Sequence, residues 1–138
     1  MASERDASGM RLDEVVARIP YAVYLGLEVE VVDGRLRARM PFRDRIVGNH
    51  RLPAIHGGVV GAFLELSALL EILHASEGRS LPRPIDFNVN YLRSAGPHDS
   101  FAEAWVVKHG KRIANVRVEC WQGERDRQVA TGYGNFLV

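Results

Sequence analysis

From Ile55 to Ser76 the chain reads IHGGVVGAFLELSALLEILHAS, apolar on nearly every helical face after its glycine pair. A helix that is hydrophobic all round is surrounded by protein rather than laid on a surface. About 20 helical residues span roughly 30 Å, the width of a small domain, so this segment is predicted to be the core that the remaining chain wraps. Upstream, Leu12, Val15, Val16 and Ile19 recur at helical spacing, with Asp13 and Glu14 in the first turn and Pro20 closing it, which predicts one short amphipathic helix. From Gly26 the period changes to two. GLEVEVVD and RLRARMPF flank Asp33-Gly34, a strong hairpin signal. The second of these strands puts Leu36, Ala38 and Met40 on one face and Arg35, Arg37 and Arg39 on the other, a row that reads as solvated. Residues 43–54 have no period and hold Gly, Asn and Pro, which predicts a loop. Beyond the helix, with Gly78 as its cap, IDFNVNYL, FAEAWVVK, RIANVRVECW and QVATGYGNFLV are four more strands, separated at Gly96-Pro97-His98, His109-Gly110 and Gly123 to Arg127. The order is helix, two strands, long buried helix, four strands. That is an α+β pattern in which one antiparallel sheet covers one helix.

At 138 residues the chain has room for one core, so residues 11–138 are expected to form a single domain behind a polar, loose stretch at 1–10. A net charge of +1 gives no reason to expect nucleic acid or an anionic membrane as the main partner. The central run is long enough to be mistaken for a membrane span, but Glu65, Glu71 and His74 would be expensive in lipid. The single cysteine, Cys120, cannot make an internal disulfide and reads as a small buried strand residue. MASERDASGM lacks an apolar signal core, so a cytoplasmic protein is expected. There is no His/Cys cluster at metal spacing and no phosphate-cradling glycine loop, so neither metal nor cofactor is expected.

Glu65 stands in the middle of the apolar run. Its own face carries Gly58, Gly61, Ala62 and Ala68, while Phe63, Leu70 and Leu73 lie opposite, so a partner can approach the carboxylate closely. A buried, unmatched carboxylate is costly and has its proton affinity raised, which is one route to a catalytic acid or base. The alternative is a buried Glu satisfied by an arginine or a backbone N–H. Ser67 faces away, and His74 near the negative end of the helix reads as structural.

His56-Gly57-Gly58 opening the helix, Glu65 within it, and DFNVNYLRSA from Asp86 to Ala95 together resemble the hotdog fold. Within that fold the chain is most similar to acyl-CoA thioesterases of the phenylacetate-pathway type. Leu25-Gly26 before the first strand and KHGKRIANVRVE from Lys108 to Glu119 extend the resemblance over residues 20–138. It implies an antiparallel sheet wrapped around one long central helix, homodimers pairing sheets edge to edge, often as homotetramers, and active sites at the subunit interface. The implied reaction is hydrolysis of an acyl-CoA to free CoA and a carboxylic acid without metal or prosthetic group. Glu65 would act as general base or nucleophile, and the Gly57 backbone N–H would polarise the thioester carbonyl. Much of the family has Asp where Glu65 stands. Six residues before the motif His, where an Asn or Gln commonly holds water or thioester, this chain has His50 with Asn49 beside it, and both are candidates.

Elementary chemistry reaches similar ground. Acyl transfer needs donors for a developing oxyanion, and a helix N-terminus supplies free N–H groups with the positive end of a dipole. Gly57 and Gly58 leave those groups uncovered, and close helix packing is the other reason for glycine there. His56 reads as a cap orienting the turn. For CoA the resemblance points to Gly58, Asn90, Arg93, Lys108, Lys111 and Arg112, of which the last four are cations suited to phosphate, although a hairpin turn such as Lys108–Arg112 is also simply solvated. Two other functions stay open: a hotdog hydratase or dehydratase, in which a His works with Glu65, and a non-catalytic acyl-CoA binding protein.

Overall fold

The structure, a computed structural model, describes residues 11–138, so the expectation for residues 1–10 lies outside the described residues. The chain forms α1 (Leu12–Val16), α2 (Pro20–Leu25), β1 (Glu28–Val32), β2 (Arg35–Met40) and a short 3-10 turn (Asp44–Ile46). These are followed by β3 (Val47–Asn49), β4 (Ala54–Ile55), α3 (Gly57–Ala75), β5 (Arg83–Tyr91), β6 (Ser100–His109), β7 (Ile113–Trp121) and β8 (Gln128–Leu137). Six strands make one antiparallel sheet in the order β1-β2-β6-β7-β8-β5, with β3 and β4 as a separate ribbon. The sheet curls around α3, which packs against β2, β5, β6, β7 and β8. The helix is long and apolar enough to cross a bilayer by composition, and here its Phe63, Leu64, Leu70 and Ile72 are buried among Leu36, Ala38, Met40, Val116 and Val118.

The hairpin between β1 and β2 turns on Asp33 (φ 52°) and Gly34 (φ 79°), both left-handed, the mirror-image turn whose twist matches its strands. Leu36, Ala38 and Met40 are inside as predicted. Pro20 departs from the expectation. It does not close the first helix but opens α2, because its missing N–H is not needed in a first turn. The segment expected to be a plain loop holds the β3–β4 ribbon.

The arginine row is also not simply solvated. Arg37 lies opposite Glu103 in the sheet, and its Nε meets that buried carboxylate at 2.6 Å, with Arg125 at 2.9 Å from it. Arg35, Arg37 and Arg125 stack over Trp105 and Trp121 on the outer sheet face, which adds cation–π attraction to charge pairing. Arg39 binds Asp99 and Glu28. The Phe42 N–H, and then Arg39, hold the Asp99 carboxyl below the usual carboxylate range. Cys120 is buried as predicted, and its surroundings push the thiol up to about 12.

Candidate functional site

The site grows from the first turn of α3. His56 is its N-cap, and its Nδ1 accepts the Gly58 N–H at 2.9 Å, satisfying one of the donors a helix start leaves over. The turn is anchored from both sides: the Ile55 N–H donates to Ala95 O at 2.8 Å and the His56 N–H to Ile46 O at 2.9 Å. The Gly57 N–H has no acceptor among the described residues. The ribbon lies against this turn so closely that a Cβ on Gly48 would stand 2.8 Å from His56 Cα. Asn49 and His50 follow Gly48 directly and are both exposed. The Asn49 Oδ1 accepts the Arg51 N–H at 3.0 Å, which uses it in the local turn, whereas His50 has no partner among the described residues.

Gly57, Gly61 and Glu65 form one row along α3. Tyr91, the last residue of β5, lies over the first two: its hydroxyl donates to Gly57 O at 2.7 Å, and a Cβ on Gly61 would meet that oxygen at 3.2 Å. Glu65 is half-buried and has no hydrogen-bond or ion-pair partner among the described residues. Within one chain Glu65 is thus not fully enclosed, and the first two positions of its row face Tyr91 and Val89 of β5, an edge strand of the sheet. The expected small-residue face is likewise divided. Ala68 is fully inside the core, and the protein's own Tyr91 covers Gly57 and Gly61. The carboxylate that does fit the burial argument is Glu71. Its Oε1 accepts the Leu36 N–H at 2.8 Å where β2, paired with β6 only from Arg37 to Met40, leaves that donor without a strand acceptor. Burial pushes its carboxyl above the usual range, with the Leu36 N–H acting against it. Ser67 turns away and bonds Phe63 O. His74 contacts Gly34 O.

A cavity of about 270 Å³ opens at the helix N-terminus, lined by Gly57, Val60, Tyr91, Arg93, Ser94 and Val129. Arg93 also borders a neighbouring open groove of about 940 Å³ with His98 and Arg127. Within one chain the residues expected to bind CoA do not come together. Gly58 and Arg93 are at this end. Lys108, Lys111 and Arg112 sit around the β6–β7 turn, which shares its end of the sheet with Arg83 and Leu137, the far end of β5 from Tyr91. Asn90 faces outward, into a pocket with Trp105, Arg117 and Tyr133. Tyr91 lies within the strand motif DFNVNYLRSA, but alternation alone does not show that its hydroxyl reaches Gly57. Among the described residues, no group of three His, Cys, Asp or Glu side chains is placed to hold a metal ion.

A six-stranded antiparallel sheet around one helix, with that helix opening on His-Gly-Gly, defines the hotdog class. Residues 48–137 match the acyl-CoA thioesterase N-terminal domain family. The medium/long-chain acyl-CoA thioesterase YigI of Escherichia coli K12 is 27% identical, over 89% of this chain and 88% of its own. A solved protein from Chromobacterium violaceum is 35% identical with a TM-score of 0.73, covering 91% of this chain and 87% of that one. A Bacillus halodurans protein solved with CoA shares the fold at TM-score 0.77 and 20% identity, over 92% and 87% of the two chains. The chain belongs to the acyl-CoA thioesterase family, hotdog-fold hydrolases that act on thioester bonds.

Proposed function

We propose that the protein hydrolyses medium- or long-chain acyl-CoA to CoA and the free acid, at sites shared between two copies of the chain. The observation that carries this is the pairing of an uncommitted Gly57 N–H at a helix N-terminus with an unpartnered Glu65 on the same helical row. The Gly57 N–H and the helix dipole stabilise the oxyanion that forms on the thioester carbonyl. Glu65 takes a proton from the attacking water, or attacks the carbonyl itself, and the CoA sulfur leaves. His50 or Asn49, held beside His56 by the ribbon, positions the water. The acyl length is taken from the name of the E. coli relative, and the CoA from the family and from the CoA-containing neighbour.

Sharing is supported by β5. Its nine residues form a sheet edge that leaves Ile85 and Tyr91 exposed, and an unpaired edge is a ready template for a second strand. Antiparallel pairing of two β5 edges turns the partner end for end. The basic turn of Lys108, Lys111 and Arg112 of the partner subunit then lies toward the Arg93 end, where the cations reach the CoA phosphates. The experiment is thiol release from a panel of acyl-CoAs by the wild type and Glu65→Gln, with fold checked by circular dichroism and assembly by mass. Wild-type hydrolysis reduced at least about a hundredfold by Glu65→Gln is expected when a base acting on water is lost. Hydration of enoyl-CoA without thiol release, or binding without turnover, would replace this reading.

A further inference from the structure

We infer that Tyr91 is a positioning residue for this site, acting through the peptide that joins Gly57 to Gly58; the inference rests on the reading that the first turn of α3 receives the thioester carbonyl. The Tyr91 hydroxyl donates to Gly57 O at 2.7 Å, and the N–H of the same peptide, on Gly58, donates to His56 Nδ1 at 2.9 Å. Hydrogen bonds in series polarise one another. The phenol draws electron density to the carbonyl, and the amide becomes a better donor to the imidazole. Because Nδ1 is an acceptor, the neutral ring carries its proton on Nε2. His56 is thereby held with Nε2–H as a free donor on the exposed side of the helix N-terminus, since no acceptor for it is found among the described residues.

The tyrosine has a place made for it. A Cβ on Gly57 would lie 3.6 Å from the ring, and one on Gly61 would come within 3.2 Å of the hydroxyl and 3.6 Å of Val89. A side chain at position 61 therefore crowds the hydroxyl and shifts it by a few tenths of an ångström against its acceptor. The Gly57 carbonyl already faces the N–H four residues on within the helix, so the phenol is a second donor that folding does not require. A phenylalanine fills the same space without it.

The test uses the full chain with Tyr91→Phe, Gly61→Ala and the double variant. For Tyr91→Phe we expect kcat to fall about three- to tenfold, the size of one neutral hydrogen bond, while KM stays within about twofold. In ¹⁵N spectra the wild-type His56 ring shows the Nε2–H form with a hydrogen-bonded Nδ1, and Tyr91→Phe moves the Nδ1 signal toward its unbonded value. Gly61→Ala lowers kcat by less than Tyr91→Phe does, and adds little to it in the double variant, because the atom it crowds is already gone. An unchanged kcat, a rise confined to KM, additive losses in the double variant, or unaltered His56 signals in Tyr91→Phe each overturn the inference. If the wild type releases no thiol from any acyl-CoA, the hydrolase reading falls, while the His56 signals still decide the relay.

Discussion

Gly57 and Glu65 lie on the same row of α3 but a little over two turns apart, roughly 12 Å along the axis. A carbonyl held about 3 Å from the Gly57 N–H is out of reach of Glu65 in the same chain, even through one water. A second helix running antiparallel across a two-fold axis brings Glu65 of the partner subunit to this Gly57, and the symmetry repeats the site. Glu65→Ala and Gly57→Val, the latter crowding Tyr91, are each expected to be nearly inactive alone and to regain activity when mixed under subunit exchange. The ceiling is about a quarter of wild-type activity, because half of randomly paired dimers are mixed and each holds one intact site. Exchange confirmed by mass with no return of activity would place both groups within one chain.

The basic turn offers a second measurement. Lys111 and Arg112 are exposed and unpaired among the described residues. Lys111→Ala with Arg112→Ala is expected to raise KM for acyl-CoA more than for the corresponding truncated pantetheine esters. The difference should shrink as salt rises, since exposed charge pairs with phosphate are screened. Equal changes for both substrate types at low salt would mean that the turn never meets the nucleotide.

In the ribbon, Asn49 and His50 are expected to differ. Asn49 spends its Oδ1 on the Arg51 N–H, while His50 is uncommitted. His50→Ala should lower turnover about tenfold or more and Asn49→Ala less than about threefold, as one water-holding group is needed per site. Two small effects would remove the ribbon from the chemistry.

Glu71 makes a prediction about stability. Burial raises its carboxyl pKa in the folded protein, so the native state binds the proton more tightly than the unfolded chain. Stability is then lost as pH rises from the unfolded value, about 4.3, through the raised folded one. Glu71→Gln keeps an oxygen for the Leu36 N–H without the charge. It should melt higher than the wild type at pH 8, with the gain vanishing near pH 4. Equal melting temperatures at both values would show that the ionised carboxylate costs nothing there.

Local rules read much of the fold correctly and failed where two features share one local signature. Proline fits both just past a helix and at its first position, and only packing chose the second for Pro20. The period of two placed Arg35, Arg37 and Arg39 on one face, yet it carries no information about the strand alongside. Glu103 and the two tryptophans convert that face from solvated to paired and stacked.

By itself, the sequence determined the central helix, the hairpin at Asp33-Gly34, the six long strands, and the placement of a glycine pair at the helix start with a carboxylate farther along it. These follow from periodicity and backbone sterics, which act over a few residues. Tertiary structure alone decided that Glu65 stands half-open beside a sheet edge while Glu71 is the enclosed carboxylate. It also decided that Tyr91 reaches the Gly57 carbonyl, and that Arg93 and the Lys108–Arg112 turn lie at opposite ends of one chain. Each of these depends on which strands become neighbours and which strand is left outermost, and pairing over long separations is set by how the whole chain closes its core.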